Sequence, residues 1–420
     1  MKTYIEALLA EISDRPNQFF VGMCVFFVAI MGTSVQHVAS VGFTLLVLFS
    51  FTVIPRWGET WRELNKLEKL FLGGLALYAL SGAIAFVNVQ DVDEYIKDIE
   101  RYLRFLLAIP IYLLFKTYRL QVINYLYAGA VASGPFLFFI AFSDYLETPH
   151  MPARGYYHHI IFGSVAMLNV GIMLSILLVA KTSNLTRVIV TISMLCGFVA
   201  AVLSQSRGVW LVLPIYILIA LYYSLRHSRT RFAIFMLLLV IGGGVLMTSP
   251  VGDMVTKRVD VAVEEVSSYY SENRYISSLG TRLAMWDIVI DVWKQHPIIG
   301  SGPGDFDDVI RDLQAQGEYI GMDVHGSTHN IYMQALVNAG IFGLLTMLFA
   351  LFIMPLKIVM SSRNEQPTKS LVGLIFIALF VTIGLSESWT LRLPTVSAYI
   401  IFAVVIISNI YLSEDSTEGG

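Results

Sequence analysis

Residues 321–340 read GMDVHGSTHNIYMQALVNAG. The first half is polar and turn-forming, and it carries two of the chain's eight histidines, His325 and His329. The second half opens an apolar run that continues to about residue 356. A spanning helix needs ~20 mostly apolar residues, so this stretch reads as polar chain entering a bilayer. Composition agrees. The 420 residues are 56% hydrophobic and 14% charged, with mean hydropathy +0.68, against about 25% charged in a typical soluble domain. One aqueous core cannot cover so much apolar surface. The expected fold class is an all-α polytopic membrane protein.

Working outward from 331, the same length criterion predicts spans near 18–34, 37–55, 68–88, 103–118, 121–142, 159–180, 187–204, 208–225, 231–249, 331–356, 370–386 and 394–412. That divides the chain into residues 1–249 with spans one to nine, a hydrophilic insert over 250–330, and residues 331–420 with spans ten to twelve and a tail. The N-terminal MKTYIEALLAEISDRPNQ has acidic residues and no compact apolar core. It reads as a short amphipathic helix rather than a signal peptide. Cytoplasmic loops of membrane proteins collect Lys and Arg. With both termini inside, each inward loop holds at least two, for example Arg56 with Arg62, Lys181 with Arg187 and Arg363 with Lys369. Outward loops hold single arginines, apart from Lys97, Arg101 and Arg104 in an acidic stretch.

The insert then faces outward. VTKRVDVAVEEVSSYY, GTRLAMWDIVIDVWKQHP and GPGDFDDVIRDLQAQG each carry apolar residues at helical spacing. They predict a folded helical cap, with Thr281 capping the second helix and Asp305 near the start of the third. Cys24 and Cys196 lie in apolar runs and read as small buried hydrophobes. Asn184-Leu185-Thr186 matches a glycosylation acceptor but falls on the inward side. The net charge of −3 points to no particular partner, and no nucleic-acid partner is expected.

Outward arginines go against the charge bias and so are informative. Arg154, Arg207 and Arg392 stand at membrane edges, and Arg282 opens the second cap helix. Each suits an interfacial anchor. Arg207 sits in LSQSRG, a small polar junction between two apolar helices, where a turn can line a cavity. Guanidinium groups grip phosphate oxygens through several donors and stay charged, so arginines converging there would bind a diphosphate. Asp305-x-Asp307 resembles a metal pair, but carboxylates at a helix start equally complement its dipole. No metal and no cofactor are expected. Glu387, at the outer end of the eleventh span, is placed to pair with an arginine or orient a substrate hydroxyl. His158 and His159 follow Arg154. His296 precedes Pro297 at a helix end. His329 stands where the cap re-enters the membrane, with Asn330 or Ser327 available as a helix cap. A neutral imidazole there can take a proton from an attacking hydroxyl.

TRLAMWDIVIDVWKQHPIIGSGPGDF followed by THNIYMQALVNAGIFGLL resembles the core of the O-antigen ligase and Wzy-type polymerase superfamily. The matching pieces are Arg282, Trp286, His296–Pro297, Gly300, Gly302, Gly304, Phe306, His329–Asn330 and Gly340–Leu344. The resemblance implies an inner-membrane glycosyltransferase of GT-C type. Such an enzyme takes a glycan from undecaprenyl pyrophosphate at the periplasmic face and, in the ligases, passes it to a sugar hydroxyl of lipid A–core. The reaction it implies is metal-independent and inverting. His329, Arg207 and Arg282 would be catalytic. Arg154, His158, Asn330, Glu387 and Arg392 join the two arginines as expected substrate contacts. Membrane lipids are the remaining expected partners. A polymerase or a protein O-oligosaccharyltransferase would share the donor chemistry. One large loop, and no glycine eleven residues after Arg154, Arg207 or Arg282, favour the ligase. Twelve spans also suit a transporter, but neither an internal repeat nor a mid-span acid is evident.

Overall fold

The computed structural model describes residues 14–412, apart from 33, 149–150, 273–274 and most of 228–249. The expected ninth span, the N-terminal amphipathic helix, His150 and the tail beyond 412 fall outside the described residues. Every regular element among the described residues is helical.

Among the described residues, eight helices are long and apolar enough to cross a membrane: Val38–Glu63, Lys66–Asn88, Ile123–Glu147, His159–Val179, Asn184–Leu203, Arg207–Arg226, Ile331–Ser361 and Leu393–Tyr411. Pro16–Met31 and Pro367–Ile383 are shorter apolar helices at the expected first and eleventh positions. The expected span 103–118 differs. An amphipathic helix Val92–Leu103 is followed by a turn and the ten-residue helix Ala108–Thr117. The acids and bases of DEYIKDIER lie in this polar helix, so the apolar run after it is too short for a full span.

Local chemistry sets the helix starts. Asn65 and Glu68 form a reciprocal capping box. Ser183 accepts from Thr186 N–H, and Asn330 from Tyr332 and Met333 N–H. Proline occupies the first turn of the helices from 16, 367 and 393, where its missing N–H costs nothing. The helices differ in depth. His159–Val179 and Leu393–Tyr411 are 83% and 89% buried over their apolar windows, whereas Asn184–Leu203 is 28% buried. The last shows Leu185, Val188, Ile189, Ile192 and Leu195 as an exposed stripe at helical spacing, as a lipid-facing surface requires. The two central helices both begin at the end of the bundle that carries the cap.

The cap consists of Pro250–Glu272, Ser278–Gln295 and Phe306–Ala315. Its own core joins Ala284, Ile288 and Val292 to Phe306, Ile310, Leu336 and Val337, so it packs on the first turns of the helix from Ile331. Ser277, not Thr281, caps the second cap helix, by accepting from Gly280 N–H. Thr281 Oγ1 instead donates to Tyr275 O at 2.7 Å. Asp305 stands at the start of the third cap helix, with Asp307 and Asp308 in its first turn, as expected, but its carboxylate makes no cap hydrogen bond; it accepts from Gln90 and Asp91 N–H at 2.9 and 3.2 Å, and Asn88 Nδ2 donates to Gly300 O at 2.7 Å.

The helix Ile331–Met347 is broken at Ala339 and Gly340, where the backbone leaves helical geometry. The cap turn completes it. Ser301 and Gly302 N–H donate to Val337 and Asn338 O, while Ile341 and Phe342 N–H donate to Pro297 and Ile298 O, all at 2.9–3.1 Å. Gly340 has φ +64, and a Cβ there would lie 2.4 Å from the Ile298 carbonyl, so both conformation and space demand glycine. The HPIIGSG motif is therefore a backbone clamp.

Candidate active site

His329 has φ +51, a left-handed conformation uncommon outside glycine. Such strain persists where neighbours over-determine it. His329 N–H donates to Ser327 Oγ at 3.2 Å. Thr328 N–H donates to Gln334 Oε1, and Trp286 Nε1 donates to Thr328 O at 3.0 Å. Asn330 N–H donates to Ser388 Oγ at 3.0 Å, and Ile331 N–H to Gly384 O at 2.9 Å. The loop is thus held between the cap helix bearing Trp286 and the turn 384–388, and the imidazole is aimed by that frame.

The turn delivers Glu387, whose side chain is 2% exposed. Arg392 Nε donates to Glu387 Oε1 at 3.1 Å, and His329 Nδ1 stands 3.5 Å from Oε2. That second contact is at ion-pair distance but is not a formed hydrogen bond. Burial pushes the Glu387 carboxyl up, but His329 and Arg392 outweigh it and hold it at about 2. Glu387 is an anion at neutral pH.

Arg207 follows the turn 204–206. A methyl added to Gly208 would sit 1.9 Å from Ser386 Oγ, so only glycine lets this junction press against the turn that holds Glu387. His159 Nδ1 lies 3.2 Å from Ser204 O. The His158 and His159 rings are 4.4 Å apart. His158 Nδ1 accepts from Ile160 N–H, which requires that nitrogen to be unprotonated. Burial first, then His159, push His158 down to about 4, with Glu387 opposing and Arg392 and His329 adding. Arg282 comes from the cap. Burial lowers its pKa, Glu387 opposes that, and Arg207 adds to it. Arg282, His158, His329 and Arg392 therefore share the electrostatic neighbourhood of the Glu387 carboxylate, and Arg207 joins it through Arg282.

A cavity of about 360 Å³ opens beside His329, Glu387 and Arg392. A larger one, about 850 Å³, lies at the opposite end around Thr182 and Lys369 and contains none of these residues. Arg154 is not gathered in. It is exposed, its backbone N–H donates to Asp144 Oδ2 at 2.9 Å, and its guanidinium makes no ion pair among the described residues. The Asn330 carboxamide oxygen is engaged in capping. Asp305 is tied to backbone N–H groups, and Asp307 pairs with Arg311 at 2.7 Å. Sequence spacing gave no sign that Ser388 anchors the His329 loop or that Glu387 faces His329, because 58 residues separate these two elements and only packing joins them.

A family model described as O-antigen ligase matches residues 192–348. That stretch contains Arg207, Arg282 and His329 but stops before Glu387. An uncharacterized protein of Haemophilus influenzae is 25% identical over 306 residues, covering 70% of this chain and 75% of that protein. The O-antigen ligase of Escherichia coli K12 is 25% identical over 217 residues, covering 49% of this chain and about half, 48%, of the relative's length.

Proposed function

We propose, from the match of residues 192–348 to a family model described as O-antigen ligase and the distant O-antigen ligase relative, that the chain transfers O-antigen glycan from undecaprenyl pyrophosphate to a sugar hydroxyl of lipid A–core at the periplasmic face of the inner membrane. The observation that carries this reading is His329 Nδ1 standing 3.5 Å from the buried Glu387 carboxylate, a carboxylate that also acts on Arg282, which in turn feels Arg207.

His329 Nδ1 faces Glu387. With its proton on Nδ1, the imidazole turns an unprotonated Nε2 to the acceptor, the same division of labour as in any base oriented by a third group. The acceptor oxygen bonds to the anomeric carbon as its proton passes to Nε2. The bond from that carbon to the phosphate oxygen breaks on the opposite face, inverting the centre, and its electron pair leaves with the diphosphate. Negative charge grows on the leaving oxygens, so fixed guanidinium groups stabilise the transition state more than the bound substrate. A divalent metal performs this role in many transferases; here Arg207 and Arg282 would supply it. A general base contributes about 10²–10⁴-fold. Glu387 acts as a positioning residue, and Arg392 keeps it ionised.

A polymerase or a protein O-oligosaccharyltransferase would use the same donor half-reaction. Lipopolysaccharide gels of a deletion strain separate them. Loss of a ligase leaves lipid A–core without polymer while lipid-linked polymer accumulates. Core bearing a single repeat would instead identify a polymerase, and unaltered lipopolysaccharide would refute both.

A further inference from the structure

The cavity beside His329 has two chemically different walls. One carries His325, His329, Glu387 and Arg392. The other carries Glu94, Asp98 and Arg101 from the helix Val92–Leu103 and Asp307 from the cap helix Phe306–Ala315. Residues 94, 98 and 101 recur at helical spacing and so share one face. Each acid has a cation one turn along its own helix: Glu94 with Lys97, Asp98 with Arg101 and Asp307 with Arg311. These pairings hold the carboxylates in place and leave further oxygen lone pairs for a ligand. Asp98 is pushed up by burial, with Arg101 opposing and Glu94 and Asp307 adding, so the three acids feel one another across the wall. A second feature lies at the same cavity. Glu387 lines it at 2% exposure, and its Oε2, 3.5 Å from His329 Nδ1, accepts no formed hydrogen bond among the described residues. Arg207 and Arg282 do not line this cavity.

The cavity lining carries four carboxylates, Glu94, Asp98, Asp307 and Glu387, against two guanidinium groups, Arg101 and Arg392, so a diphosphate is disfavoured there and drawn instead to Arg207 and Arg282. An uncharged sugar ring meets the opposite conditions, because carboxylates accept hydrogen bonds from hydroxyls without electrostatic cost. We infer that the cavity is the acceptor half-site, in which Asp98, Asp307 and Glu94 accept hydrogen bonds from the hydroxyls of a sugar ring that itself carries no phosphate or carboxylate. The inference rests on the transferase reading and deepens it. Donor and acceptor are sorted by charge to the two sides of the His329–Glu387 pair, and the acceptor hydroxyl reaches the imidazole from the acid side.

Equilibrium binding to the full chain in nanodiscs tests this without turnover. The probes are a fluorescent lipid A–core glycolipid with an uncharged terminal sugar and undecaprenyl pyrophosphate bearing a glycan. Asp98→Asn and Asp307→Asn should each raise the Kd for the glycolipid about tenfold, the usual loss for a hydrogen bond to a charged group, and leave the diphosphate Kd within about twofold. Arg207→Ala should do the reverse. A wild-type measurement stands beside these in case a variant folds poorly: phosphorylating the terminal sugar should weaken glycolipid binding by at least about tenfold. Unchanged glycolipid binding in both acid variants, an equal loss of both probes, or equal binding of the phosphorylated glycolipid would each overturn the half-site. An unchanged diphosphate Kd in Arg207→Ala would instead count against the donor assignment and leave the acid-wall result to stand by itself.

Discussion

Glu387→Gln probes the centre of the site. The carboxylate is buried, 3.1 Å from Arg392 Nε and 3.5 Å from His329 Nδ1. Its neighbours lower it from 4.5 to about 2. At about 1.36 kcal/mol per pH unit, that drop is worth about 3 kcal/mol to the folded state. The sign follows from proton binding: the unfolded carboxyl binds protons more readily, so the stabilisation is complete above about 4.5 and disappears as pH falls toward about 2. The amide keeps the shape and loses the charge. The variant should melt lower than the wild type at neutral pH, and the gap should close in acid. It should also lose kcat by about 10²-fold, because the imidazole is no longer held with Nδ1 protonated, while the donor KM holds. The decisive assay is a double-mutant cycle on glycan transfer. In a His329→Ala background, Glu387→Gln should slow transfer no further, since a positioning residue has nothing left to position. Equal fold losses in both backgrounds, or a Glu387→Gln enzyme as fast and as stable as the wild type, would refute the pairing.

Arg207→Ala and Arg282→Ala should each cut kcat/KM by about 10²–10³-fold with the protein still folded, the range for removing one donor to a developing anion; near-normal turnover would take that residue out of the transition state. Transfer by purified protein should be unaffected by chelator, and loss restored by Mg²⁺ or Mn²⁺ would transfer the role of the arginines to a metal. His158→Asn keeps a helix cap. Because His158 is held at about 4, the pH–rate profile above about pH 5.5 should keep its shape, and loss of a limb would make His158 the titrating group. Gly340→Ala forces a side chain into φ +64 with its Cβ 2.4 Å from the Ile298 carbonyl, so it should lower the melting temperature by an amount corresponding to at least about 1–3 kcal/mol; an unchanged melt would mean that the clamp is not needed.

The apolar segments were legible because period and length report directly on a bilayer. Ten of the expected spans correspond to apolar helices between Pro16 and Tyr411. The stretch 103–118 misled because hydropathy cannot see that Val92–Leu103 takes up the chain before it. Arg207, Arg282 and His329 could be singled out from charge placement and motif, since each sits at a junction where topology makes it unusual. Their orienting groups could not. Glu387 is one of many carboxylates in sequence; only the docking of turn 384–388 against loop 327–331 gives it a histidine partner. The same limit applies to Arg154, which has the right type and position yet is exposed and makes no ion pair among the described residues.

The clamp at Ala339–Gly340 imposes an order of assembly. Backbone groups of this broken helix find their partners in the turn 297–302, well before it in the chain. During synthesis the turn 297–302 is therefore made first and must already be in position when the later helix arrives. An unfolded cap would leave that helix with four unpaired backbone groups, of which the carbonyls of the buried Val337 and Asn338 would each cost about 1–3 kcal/mol. The loop bearing His329 lies directly ahead of this helix, so a chain whose cap has failed cannot present His329 either, and the folding of the cap and the presentation of that imidazole are decided at one joint.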